Sequence, residues 1–173
     1  AVCAAAVADF KPKTMSKNKL KKNVGKLNSI QLEKNPDILE FLGKNTVIHE
    51  NVIINKNVKI GNNVTIYENT KIKENTIIND GCVIGSNGFA PVYNNRKKLS
   101  TSLTSTGGTL IGKNVIIGPL TNIDKGTIDD TVISDNVHID SMVMIGHNCK
   151  VKKNTIITTG VILCGGSIIM SNC

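Results

Sequence analysis

Aliphatic residues recur every six positions along most of this chain, with mainly polar residues between them. The run Ile48, Ile54, Ile60, Ile66, Ile72, Ile78, Ile84 is unbroken, and the period resumes at Ile111, Ile117 and Ile123. After a four-residue slip around Asp129–Val132 it continues through Ile133, Ile139, Ile145, Val151, Ile157 and Leu163, sixteen hexads in all. Four residues after each anchor stands a small or β-branched residue, as at Val52, Thr70, Cys82, Gly88, Thr127 and Val143. The residue before that one is often Asn or Gly (Asn51, Asn75, Asn87, Gly126, Asn148), types that tolerate positive φ at little cost. Each hexad therefore reads as a short strand followed by a corner. A six-residue period signals an all-β fold, a parallel β-helix in which three hexads make one triangular coil and the anchors stack inward. An α-helix would need apolar spacing near 3.6. Sixteen hexads predict about five coils, and strands about 4.8 Å apart predict a prism roughly 25 Å tall.

Two stretches stand outside the ladder. Residues 1–43 show no six-residue period. There, Ala4–Ala8 reads as a buried strand, Asp9–Ser16 as a loop around Pro12, Lys17–Lys26 as a basic turn and Ser29–Leu32 as a second strand. Asn35-Pro36-Asp37 reads as a cap opening a short helix, Ile38–Leu42. The chain thus divides into an α/β-like arm, 1–43, and a repeat domain, 44–173. Within the second, residues 89–110 form a detour too long for a bland connection, although its Ser/Thr/Gly run from Ser100 to Thr109 is also consistent with a plain flexible loop.

Composition narrows the function classes. With three Phe, two Tyr and no Trp among 173 residues, the core must be aliphatic, which a stacked Ile/Val prism satisfies. The net charge is +8, but residues 1–43 hold eight Lys against Asp9, Glu33, Asp37 and Glu40, so half the excess belongs to the arm. No aromatic residues alternate with those lysines to stack bases, which speaks against nucleic-acid binding. Five Cys without a CxxC pair read as reduced residues of a cytoplasmic protein. No apolar stretch approaches the eighteen or so residues of a membrane span. The absence of an initial Met, and the stop at Cys173 within a hexad, read as a piece of a longer protein at both ends.

Two resemblances emerge from particular motifs. AAAVADFKPK at the start, KLKK at Lys19–Lys22 and LEKNPDILEFLG at 32–43 resemble consecutive motifs of phosphopantothenoylcysteine synthetase, a CTP-dependent ligase. The resemblance implies that Asp9 and Lys19 contact nucleotide. It covers only about forty residues, and one strand with one helix does not build a doubly wound nucleotide site. VIGSNGFAPVYNN at 83–95, IGKNVIIGPLTNIDKGTIDDTVI at 111–133 and MIGHNCKV at 144–151 are similar, in that order, to the UDP-3-O-acylglucosamine N-acyltransferases of lipid A synthesis. This second resemblance implies a left-handed coil, an exception to the usual crossover rule. It also implies an acyl carrier protein as thioester donor, a UDP-sugar as acceptor and no cofactor, and the faces of the prism, one flat apolar-edged wall of which must be covered, imply a homotrimer.

Amide formation from a thioester requires a base for the attacking amine and a donor for the oxyanion. His147, two residues after Ile145, is the candidate base, since histidine titrates near neutrality; a solvated corner His is the plain alternative. Gly165 lies eighteen residues further on, one full coil, and the resemblance assigns its backbone N–H to the oxyanion. Asn87, Gly88 and Phe89 of the SNGF segment, together with Asp124 and Asn148, are candidate substrate-binding residues. Asp129-Asp130 coincides with the slip and reads as a turn. A zinc enzyme is the competing chemistry. His138 and His147 lie half a coil apart, however, and His49 lies on the order of 25 Å below them, so the three cannot converge within one subunit.

Lys125 stands where the second family usually has Arg, and Asn87 where it usually has Asp; neither its N-terminal uridine-binding domain nor its later coils are present here. Three other readings stay open: an acetyl-CoA-dependent N-acetyltransferase of an amino-sugar nucleotide, a non-catalytic scaffold, and a ligase fragment.

Overall fold

In the computed structural model, which describes residues 10–12, 32–34 and 39–173, three six-stranded parallel sheets form the walls of a β-solenoid. The first wall is built from Leu39–Leu42, Val58–Ile60, Ile77–Ile78, Ile116–Ile117, His138–Ile139 and Ile156–Ile157. The second stacks Val47–Ile48, Thr65–Ile66, Val83–Ser86, Asn122–Asp124, Met144–Ile145 and Ile162–Leu163. The third stacks Ile53–Ile54, Thr70–Ile72, Thr109–Ile111, Thr131–Ile133, Lys150–Val151 and Ile168–Ile169. The walls hold eighteen strands, so the ladder extends one hexad beyond the expected sixteen at each end, to anchors Leu42 and Ile169.

The core is the stack of anchors. Ile60, Ile66, Ile84, Ile111, Ile117, Ile123, Ile133 and Ile145 expose none of their surface. Between them stand the small inward residues, among them Val58, Val64, Val137 and Cys82, also fully buried. Burial pushes the Cys82 thiol up to about 11, so it is an inert packing group whose S–H donates to the Gly118 carbonyl at 3.1 Å.

Corners explain the Asn content. Asn57, Asn75, Asn114, Asn136, Asn154 and Asn172 all adopt φ between 54° and 63° on the corner between the third and first walls. Each side-chain amide donates to the next asparagine oxygen at 3.1–3.2 Å, giving one unbroken ladder. On the next corner Leu120 and Met142 take φ of 59° and 55°, a conformation that bulky residues rarely adopt.

The sequence-derived arm differs in detail. Leu39–Leu42 is a strand of the first wall, not part of the expected short helix Ile38–Leu42, because it pairs in parallel with Val58–Ile60 and places Leu42 beside Ile60. Among the described residues there is no helix. Residues 5–37 form a unit of their own, within which Phe10–Pro12 is a strand, where a loop was expected, paired antiparallel with Leu32–Lys34. The expected strand at Ala4–Ala8 and turn at Lys17–Lys26 lie outside the described residues, as do Asp9 and Lys19.

Both interruptions of the ladder leave from the corner between the second and third walls. Thr109 pairs with Thr70 below and Thr131 above, so these threonines, rather than Gly88 and Thr127, occupy the inward slot there. At Asn87 and Gly126, where the detours leave, φ is not positive. The longer detour is a hairpin, Pro91–Asn94 against Leu99–Ser102, with both strands exposed, and not a plain flexible loop. It returns through Ser105–Gly108, where Thr106 N–H donates to the Thr127 carbonyl at 2.9 Å and Gly108 N–H to Asp130 at 2.8 Å.

Candidate functional site

The corner that carries both detours also carries His147. Ile145 is buried in the second wall, Gly146 N–H bonds to the Leu163 carbonyl at 2.9 Å, and the chain turns outward at His147. The imidazole is held between two glycines. A Cβ on Gly88 would stand 2.7 Å from His147 Cβ, and one on Gly165 would stand 2.5 Å from His147 Nε2. Neither glycine has a positive φ, so close approach to the ring, not backbone conformation, is what demands their lack of a side chain.

Hydrogen bonds fix the ring's chemistry. Asn148 Oδ1 accepts from Thr127 N–H at 3.0 Å, and Asn148 Nδ2 donates to the Asp129 carbonyl at 3.0 Å, which sets the orientation of that amide. His147 Nδ1 lies 3.0 Å from Asn148 Oδ1 and 3.3 Å from Thr127 Oγ1. An acceptor facing Nδ1 selects the tautomer with hydrogen on Nδ1, and leaves the Nε2 lone pair directed at Gly165. The Gly165 N–H, in turn, donates to no acceptor among the described residues. One basic nitrogen and one unused backbone donor therefore sit beside each other on an open edge.

The other sequence-derived candidates fall around this pair. Gly88 packs against His147, whereas Asn87 and Phe89 are exposed, Phe89 to 84%. Asp124 is buried one rung below, accepting from Ser86 Oγ at 2.8 Å and Asn122 Nδ2 at 2.9 Å, and no described contact joins it to His147. Asn148, expected at the substrate, commits its amide to Thr127, Asp129 and His147. The bend of the shorter detour spans 127–129, so it takes in Asp129 and ends just before Asp130. His49 stacks on Tyr67 with ring centroids 4.7 Å apart near the base of the second wall, and His138 is exposed on the first, so the three histidines occupy separate places. Among the described residues, no group of three or more His, Cys, Asp or Glu could hold a metal ion.

Two features escaped the sequence. Thr127 stands twenty residues before His147, two more than one coil, so nothing in the hexad pattern marks it as a partner of His147. Lys125, only 4% exposed at its side chain, forms an ion pair with Glu68 two coils below. That ammonium holds the Glu68 carboxyl below the usual carboxylate range. The pair ties the shorter detour to the wall beneath it, and its spacing of fifty-seven residues gives no local signal.

Comparison with known proteins returns two kinds of match. The family model described as the DNA/pantothenate metabolism flavoprotein C-terminal domain matches residues 1–78, so its second half falls on the first coils of the solenoid. The UDP-3-O-acylglucosamine N-acyltransferase of Janthinobacterium sp. (strain Marseille) is 37% identical over 91 residues, covering 53% of this chain and 25% of that protein. The enzyme of the same name from Shewanella denitrificans is 40% identical over 85 residues, 49% of this chain and 24% of that one. The chain spans about a quarter of the length of the curated relatives it matches. Among solved structures, a UDP-N-acetylglucosamine acyltransferase from Bacteroides fragilis is 22% identical, covering 77% of this chain and 51% of that one, with a TM-score of 0.42.

Proposed function

We propose that this chain carries the catalytic coils of an N-acyltransferase that acts on a UDP-sugar. The acyl group, a 3-hydroxyacyl chain, comes from acyl carrier protein, and the acceptor is the amine of a UDP-3-O-acylglucosamine in the cytoplasmic steps of lipid A synthesis. The single observation that carries this reading is the pairing of a tautomer-fixed His147 Nε2 with the unused Gly165 N–H. The curated relatives supply the acyl and sugar chemistry, since their names specify both.

In this mechanism Nε2 takes a proton from the attacking amine as nitrogen bonds to the thioester carbonyl carbon. The carbonyl oxygen becomes an oxyanion and accepts from Gly165 N–H, an interaction worth about 3 kcal/mol in comparable sites. Collapse breaks the C–S bond, and the departing thiolate takes the proton back from the imidazolium. Asn148 and Thr127 keep Nδ1 protonated throughout. Three copies pack through the exposed apolar corner of Leu120 and Met142 and the nearby Ile162.

Amide formation followed by mass spectrometry, with a UDP-3-O-acylglucosamine and a 3-hydroxyacyl carrier protein, tests the proposal. Product from the wild type that disappears in His147→Ala supports it. Equal product from both proteins refutes His147 as the base, and amide formed only from acetyl-CoA and an amino-sugar nucleotide moves the reading to that donor.

A further inference from the structure

The third wall carries an arrangement unrelated to the His147 edge. In one outward column Leu110 pairs with Lys71 below it and with Val132 above, and Val132 pairs with Lys150. In the neighbouring outward column the order is Lys73, Gly112, Ser134 and Lys152, held in register by bonds from Lys73 N–H to the Ile111 carbonyl, Gly112 to Ile133 and Ser134 to Val151. Between the columns the inward anchors Ile72, Ile111, Ile133 and Val151 are buried, so both columns face outward by the alternation of a strand. The result is a rectangle with a lysine at each corner. Its long side spans three rungs, about 14 Å, and its short side two residues, about 7 Å.

The middle of the rectangle is short side chain and apolar surface. A cavity of about 410 Å³ opens there, lined by Leu110, Gly112, Val132 and Ser134 together with Lys153 and Ser171. The one carboxylate at the rim, Asp135, accepts from the Lys113 backbone N–H at 2.8 Å. None of the four corner ammonium groups makes an ion pair or hydrogen bond among the described residues. Lys73 and Lys152 of the rectangle line this cavity together with Lys153, and three lysines without a carboxylate partner among the described residues raise the local potential there, so that anions are drawn to the concavity. The volume lies in the range of small-molecule sites.

We propose that this lysine-framed cavity binds a phosphate-bearing small molecule, with its phosphate at the lysines and its less polar portion against Leu110 and Val132. The cavity volume and the apolar floor favour a molecule of nucleotide size over a flat macromolecular surface. Such chemistry has two sources in the reaction proposed above, a nucleoside diphosphate and a phosphopantetheine arm. The site itself stands on its own geometry and does not depend on that reaction.

Calorimetric titration of the intact chain with UDP and, separately, with 4′-phosphopantetheine tests it, with uridine and pantetheine as phosphate-free controls. The expected result is saturable binding of at least one phosphate compound, weakened at least tenfold in the double variant Lys73→Ala/Lys152→Ala. Which phosphate compound binds identifies the source. All of the exchanged side chains are outward-facing lysines, so circular dichroism and the thermal midpoint of the double variant should match the wild type. Equal affinity in wild type and double variant, or no binding of either phosphate compound at millimolar concentration, overturns the proposal. Binding of polyglutamate in the absence of any phosphate binding overturns it in favour of an acidic protein partner.

Discussion

Asn148 Oδ1 faces His147 Nδ1 at 3.0 Å, and the same oxygen accepts from Thr127 N–H at 3.0 Å. One amide thus braces the shorter detour and fixes which imidazole nitrogen is basic. Replacing Asn148 by Ala should lower kcat about a hundredfold while leaving KM close to its wild-type value, since the ring loses tautomer and orientation and the substrate loses no contact. Steady-state kinetics of the variant decide it. A pure rise in KM would instead assign Asn148 to the substrate.

Gly165→Ala is predicted to abolish measurable turnover without unfolding the chain. The new Cβ would meet His147 Nε2 at 2.5 Å and displace the ring, and it would also crowd the oxyanion position. Because Gly165 is exposed and not in the left-handed region, the thermal midpoint should move little. Parallel melting curves and turnover assays check both halves of this expectation.

Acid should weaken the fold through Glu74. A hydrogen bond from Lys113, with a smaller contribution from the backbone, lowers this carboxyl from 4.5 to about 2. The folded pKa is depressed, so the associated stability is fully present above 4.5 and is lost as pH falls toward 2. Glu68, lowered by Lys125, acts in the same direction. Urea midpoints measured from pH 6 to pH 3 should fall, and Glu74→Gln should flatten that fall. A variant whose acid sensitivity matched the wild type would remove Glu74 from the account.

The asparagine ladder makes a graded prediction. Asn114 donates to Asn136 at 3.1 Å, accepts from Asn75 at 3.2 Å and holds φ at 54°. Asn114→Ala loses both bonds and places a Cβ in the left-handed region, a combined cost of about 2 kcal/mol. Asn114→Gly keeps the backbone conformation easy and should cost about half of that. Chemical denaturation of the two variants separates the contribution of the bonds from that of the backbone.

The hexad ladder was legible because burial on a solenoid imposes a fixed period, which the anchors from Ile48 to Leu163 keep apart from the detour after Ile84 and the slip after Ile123. What misled was local chemistry in competition with distant pairing. Pro36-Asp37 ahead of Leu39 and Leu42 reads as a capped helix, yet Leu42 falls six residues before Ile48 and is taken up as one more anchor beside Ile60. Cross-coil hydrogen bonds outweigh a cap worth about 1 kcal/mol. The hairpin of Pro91–Ser102 was hidden for the opposite reason: both of its strands are exposed and carry no apolar alternation for a reader to find. His147 and Gly165 were visible as a one-coil pair. The hydrogen bond of Thr127 to His147 and the ion pair of Lys125 with Glu68 were not, because separations of twenty and fifty-seven residues match no whole number of eighteen-residue coils.

The threonine column at the detour corner has an evolutionary meaning. Because Thr109 closes onto Thr70 and Thr131 whatever lies between it and Ser86, the coil is indifferent to the length of the excursion. Lengthening such a segment twofold costs only about 0.6 kcal/mol in closure entropy. New sequence can therefore be traded in beside His147 while the walls remain untouched. Mutational risk is thereby kept away from the load-carrying stack and gathered at one replaceable position, where selection can vary the surface beside His147 without first having to rebuild a fold.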